Sequence, residues 1–224
     1  MNIFLNRRAS LYNESKRIEK NDLSLKKIVS LGIVFLLVLC IIGGKQSYDQ
    51  RKGKVKMQTI TKKTVIGYGV IAALMVVFDL LSKAMIVSHM HLYQSITLIP
   101  HFFLLTYIQN RGAAWGIMQG RLGLFSLIGI AAGIAMVYYF FKSQKEQVLL
   151  RLGLALAFGG MLGNLYDRLI LGYVRDFLNF YIFGYDFPVF NVADMGVTIG
   201  MALIILQFVI EEYKVWTLKK SMPK

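Results

Sequence analysis

Apolar residues in this chain run nearly unbroken through four segments, at about 64–87, 122–141, 148–170 and 192–210. Each approaches the roughly 20 residues that an α-helix needs to cross a bilayer core. The pattern predicts an all-α membrane protein with a core of four transmembrane helices. A fifth apolar run, Ile28 to Ile42, is shorter and ends at Gly43-Gly44. Between the first two core helices, residues 96–108 are rich in β-formers and are followed by the turn-forming Asn110-Arg111-Gly112. They predict a small β-bearing platform at the membrane face. Residues 173–190 carry eight aromatic rings, from Tyr173 and Phe177 to Phe187 and Phe190, and read as a belt at headgroup level.

Composition agrees with the pattern. Of 224 residues, 56% are hydrophobic and only 17% charged, too apolar for a typical soluble domain. The net charge of +14 does not point to nucleic acid, because the lysines and arginines lie mainly in short segments flanking apolar runs. Lys142, Lys145 and Arg151 mark the second connection, and Lys214, Lys219, Lys220 and Lys224 mark the tail. By the positive-inside rule the 45–63 linker, the 142–147 loop and the C-terminus are cytoplasmic, and loops 88–121 and 171–191 face outward. The single cysteine, Cys40, excludes a disulfide within the chain. Residues 1–56 form a basic N-terminal extension in which the 28–44 stretch is a candidate extra membrane segment. Both its flanks are basic, so spanning would translocate one of them. The stretch is therefore read as an apolar appendage to a core over 57–214, followed by a basic tail over 215–224.

Charged residues inside the apolar runs carry the chemistry, since such residues are costly in a bilayer and mark function. Asp79 lies 14 residues beyond Val65, roughly 21 Å into a core about 30 Å thick. Lys83 follows one turn later on the same face. The pair reads either as an intrahelical ion pair whose lysine snorkels outward or as support for a site. In the third helix, Gly159 and Gly163 form a small-xxx-small pair for close helix approach, and Asn164 and Arg168 share one face. Asp167 pairs with Arg168 in the simplest reading, and Gly172 marks the helix stop. Asn191 and Asp194 have capping-box spacing at the start of the fourth helix, so Asp194 alone reads as a cap. The topology nevertheless gathers Asp79, Asp167, Asp176 and Asp194 on the outer side. Two carboxylates that converge share a proton, the basis of aspartic protease chemistry. An ion path is the competing reading, made less attractive by the lack of discontinuous repeats. Ser82-Lys83 point about 100° apart, and His89, His91 and His101 lack a zinc signature.

Five motifs in order, Asp79-Leu80-Leu81-Ser82-Lys83, Asn110-Arg111-Gly112-Ala113-Ala114-Trp115-Gly116, Gly159 through Arg168, Val174-Arg175-Asp176-Phe177 and Phe190-Asn191-Val192-Ala193-Asp194, make the chain resemble the signal peptidase II family over about residues 60–212. Trp115-Gly116 stand where many members have phenylalanine and serine. The resemblance implies a monomeric, cofactor-free and metal-free aspartic endopeptidase of the bacterial cytoplasmic membrane, its site toward the outer face. Its substrates are prolipoproteins, cleaved before the diacylglyceryl-modified cysteine, and its surroundings are membrane lipids. The resemblance also implies that Asp176 and Asp194 are the catalytic dyad and that Asn110, Gly112, Asn164, Arg168 and Asn191 shape the site or bind substrate. Asp79, Lys83 and Asp167 take supporting roles. Because Asp194 opens a helix, it is expected to be ionised, with the shared proton on Asp176.

Overall fold

The computed structural model describes residues 60–112 and 122–221. The 1–56 extension with its apolar run and Cys40, the Ala113 to Gly116 part of the second motif, and the last three residues of the tail lie outside the described residues.

Among the described residues four helices are long and apolar enough to cross a membrane. They are α1 (Lys62–His89), α2 (Leu122–Lys142), α3 (Val148–Ile170) and α4 (Val192–Ser221). The last continues well past residue 210, where the apolar pattern ends. Thr61 caps α1, its hydroxyl accepting from the Thr64 amide at 3.3 Å. Gly172 follows the end of α3 with φ +76°, the left-handed conformation that glycine adopts without a Cβ penalty.

α3 is the central helix. Just over half of its apolar window, 56%, is buried inside the protein, against 17% for α1 and for α2. The small residues along it decide which neighbours it can hold. A Cβ on Gly153 would come 2.5 Å from the Gly200 carbonyl oxygen of α4, and Gly160 lies against the Ala193 carbonyl. On the α1 side, a Cβ on Gly159 would come 2.6 Å from the Ala72 carbonyl, and Gly163 lies against the Asp79 carboxylate. The Gly159 and Gly163 pair therefore serves α1, and a second pair, Gly153 and Gly160, serves α4. Leu150, Leu154, Ala157, Met136 and Ile204 fill the core among α2, α3 and α4. Outward, α1 presents Ile66, Val70, Leu74, Phe78, Leu81 and Met85. This exposed apolar stripe suits lipid and would be a liability in water.

A four-stranded antiparallel sheet, order β1-β2-β3-β4, lies at the end of the bundle where α1 ends and α4 begins. The predicted 96–108 stretch divides into β1 (Ser95–Ile99) and β2 (Phe103–Asn110), because Pro100 and His101, the latter with φ 58°, turn the chain. The aromatic 173–190 region is more than a belt, since it contains β3 (Val174–Ile182) and β4 (Tyr185–Asp186). Phe183 and Gly184, with φ 50° and 76°, make the two-residue turn between them. Phe180 stacks on Phe103 and Phe190, so the rings bind strand to strand. Ile86, Met90, Tyr107 and Phe177 form a second apolar cluster that fixes the sheet to the end of α1.

Close helix contact at a glycine should show in stability. Gly153→Ala should destabilise the bundle by roughly 1–3 kcal/mol, the usual range for overpacking, while Gly69→Ala, with no atom within 4 Å of its added Cβ, should not. Thermal unfolding in detergent checks this, and equal melting of the two variants would contradict the packing role.

Candidate active site

The fourth helix starts with a reciprocal cap. The Asn191 amide donates to Asp194 Oδ2 at 3.1 Å, and the Asp194 amide donates to Asn191 Oδ1 at 3.0 Å. The cap leaves the Asn191 side-chain amide free to point across the site. Its Nδ2 donates to Asp176 Oδ1 at 2.6 Å and to Asn164 Oδ1 at 3.0 Å. Asn191 thus touches both aspartates, one through its backbone and one through its side chain. Capping and chemistry are not alternatives for Asp194.

Asp176 arrives on β3 opposite Ile108 of β2, and two residues farther along, Asn110 pairs with Val174. From there Asn110 Nδ2 donates to Asp176 Oδ2 at 3.0 Å, while its own Oδ1 accepts from the Gly112 amide at 3.0 Å. Asn164 Nδ2 donates to Asp194 Oδ1 at 2.8 Å. All four carboxylate oxygens of Asp176 and Asp194 consequently accept an N–H, which fixes both groups in orientation. Burial first, and then the negative charge of Asp194, push the Asp176 carboxyl up to about 7. The hydrogen bonds from Asn110 and Asn191 oppose that rise.

Beneath the pair sits Lys83, fully buried. Its Nζ donates to Asp79 Oδ2 at 2.7 Å and to Asn164 Oδ1 at 3.0 Å, and lies 3.3 Å from Asp167 Oδ2. The lysine does not snorkel outward, because three acceptors surround it inside the bundle. An ammonium has only donors, so Asn164 must turn its oxygen to Lys83 and its NH2 to Asp194. Asp79 also reaches a third helix. Its Oδ1 accepts from the Ala193 amide at 2.9 Å, so α1 caps a first-turn amide of α4 that has no acceptor within its own helix.

Asp167 does not pair with its neighbour Arg168. It accepts from Arg175 at Nη2 (2.6 Å) and Nε (3.2 Å) and from the Arg175 backbone amide (3.0 Å). This bidentate clamp holds the residue next to Asp176, a role for Arg175 that its place in the sequence did not disclose. Two carboxylates, Asp79 and Asp167, are matched by two cations, Lys83 and Arg175. Arg168 is left over: among the described residues its buried Nε has no hydrogen-bond partner, and its charge acts on Asp194 and Asp176. Ser82 Oγ donates to the Asp79 carbonyl of its own helix at 2.8 Å, which removes it as a nucleophile beside Lys83. Among the described residues no three His, Cys, Asp or Glu side chains are grouped to hold a metal ion.

Replacing Lys83 by methionine leaves two buried carboxylates without their shared cation. Lys83→Met should cost roughly 3–5 kcal/mol, as breaking one side of a buried ion pair does. Thermal unfolding of the purified variant reads this directly, and a melting temperature equal to that of the wild type would contradict it.

Known proteins share this sequence and architecture. The sequence profile described as Signal peptidase (SPase) II matches residues 71–210. Lipoprotein signal peptidase of Staphylococcus aureus strain JH9 is 44% identical over 146 residues, covering 65% of this chain and 90% of that protein. The same protein of strain N315 gives the same values. A solved structure described as a bacterial membrane enzyme, determined by the in meso method at 2.3 Å resolution, aligns with a TM-score of 0.63 at 39% identity. The alignment covers 75% of this chain and 98% of that one. A second, described likewise at 1.9 Å resolution, gives a TM-score of 0.60 at 41% identity, covering 68% and 96%. A profile that spans more than half of the chain, together with relatives matched over nearly their whole length, establishes that this chain belongs to the signal peptidase II family of membrane peptidases.

Proposed function

We propose that the chain is an aspartic endopeptidase that removes signal peptides from prolipoproteins, hydrolysing the bond before the diacylglyceryl-modified cysteine. The observation that carries the catalytic assignment is the bridging of Asp176 and Asp194 by Asn191. The substrate class follows from the relatives named lipoprotein signal peptidase. The site's position in the fold supports it: Asp194 lies in the first turn of a spanning helix and Asp176 on the adjoining sheet. A substrate anchored in the bilayer by its acyl chains presents its scissile bond at this level.

In the proposed reaction Asp194, ionised and near the positive end of α4, takes a proton from water. The resulting hydroxide attacks the carbonyl carbon while Asp176, which holds the shared proton, donates it to the carbonyl oxygen. Collapse of the tetrahedral intermediate breaks the C–N bond: the proton on Asp194 passes to the leaving amine, while Asp176, now ionised, takes back a proton from a hydroxyl of the intermediate and the pair is restored. The place of Asp194 in the first turn of α4, where the helix favours negative charge, and of Asp176 on the sheet, away from any helix start, support this division of labour. Arg168, whose Nε meets no hydrogen-bond partner among the described residues, is available to donate to a backbone carbonyl of the substrate. The basic ends of α1, α2 and α4 support a cytoplasmic location for both ends of the core, with the sheet and site on the outer face.

Cleavage of a lipidated precursor tests the assignment. Asp176→Asn and Asp194→Asn should each lower turnover by roughly a thousandfold or more, within and beyond the usual worth of a general acid or base. Both should remain folded in the membrane, since asparagine retains the shape of each side chain. Asp167→Asn, which keeps the dyad, should retain measurable turnover. Full activity in either dyad variant would sink the proposal.

A further inference from the structure

At the end of the bundle opposite the site, α1 and α3 both begin, and the cleft between them, about 440 Å³ in volume, is lined by Thr64, Gly67, Ile71, Val148, Arg151 and Leu152. Most of this wall is apolar, yet Arg151 is 5% exposed and bears a full charge. Its Nε donates to Ser143 Oγ at 2.8 Å and its Nη2 to the Ser143 carbonyl at 3.1 Å, both neutral acceptors. Among the described residues no carboxylate comes within ion-pair distance of it. The nearby Glu211 already accepts from Gln147 and Gln207, each at 2.8 Å, and Glu146 is exposed. The surrounding potential has the same sign. Neither α1 nor α3 has an acid in its first turn, Gln147 makes no side-chain cap on α3, and Lys62 and Lys63 stand exposed at the start of α1.

A buried cation without a counter-charge is costly, and in a bilayer the anion at hand is a lipid phosphate. We propose that this cleft binds one anionic phospholipid, its phosphate on Arg151 and its acyl chain along Gly67, Ile71 and Leu152. The depth fits: Arg151 lies three residues beyond Val148, the first residue of α3, which at about 1.5 Å per residue is within roughly 5 Å of the helix end. Open space in front of Gly67, where an added Cβ would meet nothing within 4 Å, gives the chain its path.

The full chain, assembled in nanodiscs of mixed phosphatidylglycerol and phosphatidylcholine with matched acyl chains, is released and weighed by native mass spectrometry. Wild type should retain phosphatidylglycerol over phosphatidylcholine by roughly tenfold, the ratio given by about 1.4 kcal/mol. Gly67→Leu, whose Cβ has open space and whose longer side chain would occupy the cleft far from the dyad, should lose that preference while cleaving precursor at the wild-type rate. Arg151→Gln should lose it too. Equal retention of the two lipids by wild type, or an undiminished preference in Gly67→Leu, would overturn the proposal. In pure phosphatidylcholine, inorganic phosphate should leave the melting temperature unchanged, and a rise equal to that produced by phosphatidylglycerol would overturn the assignment to a lipid.

Discussion

A fully buried ammonium group holds this site together. Lys83 donates to Asp79 and Asn164 and forms an ion pair with Asp167, so its partners come from two different helices. Each partner then passes the constraint outward. Asp79 reaches the Ala193 amide and so fixes where α4 begins. Asn164, its oxygen committed to Lys83, presents its NH2 to Asp194. Asp167 clamps Arg175 and with it the strand residue before Asp176. Both aspartates of the proposed dyad are therefore placed by one cation that touches neither. Such a buried cluster is weak evidence of net stability, but once built it tolerates few alternative arrangements, which is what a site needs.

The cluster can exist only because α3 approaches α1 and α4 so closely. Gly163 lies directly against the Asp79 carboxylate, and a side chain there would displace the ion pair. Gly159 and Gly160 bring the backbones of α1 and α4 to the same stretch of α3. In a bilayer there is no hydrophobic force to press these helices together, so backbone proximity and interhelical polar contacts hold them. The glycines and the buried charges are two halves of one arrangement. The proposed dyad sits where the packed bundle meets the sheet, with α1 on one side and strand-borne Asp176 on the other.

Much of this was legible in the sequence because its signals are strong ones. Four long apolar runs permit little besides four spanning helices, and the bounds of α3 came directly from them. The Asn191 and Asp194 spacing disclosed the cap, since a reciprocal box is a local matter. What stayed hidden depends on chain reversal and long-range pairing. β3 was masked by its aromatic content, although Phe183-Gly184 is the kind of turn that announces a hairpin. Asp167 looked like the partner of Arg168, its sequence neighbour, but adjacent helical side chains diverge, and Arg175 eight residues on is the one that returns to it. That Lys83 points inward rather than to the interface required knowing that Asn164 and Asp167 converge on it, which no spacing within α1 reveals.

In the proposed dyad Asp176 and Asp194 share one proton, held on Asp176. Infrared difference titration of the carboxyl stretch of the purified enzyme tests this most directly, with the two asparagine variants compared because the groups titrate as a pair. A carboxyl of ordinary affinity is ionised well below neutrality, whereas Asp176 is pushed up to about 7. A protonated band should therefore persist in mildly acidic solution, fade as pH rises through about 7, and be absent from Asp176→Asn. A band that survives in Asp176→Asn and vanishes in Asp194→Asn would put the proton on the other aspartate and contradict the assignment.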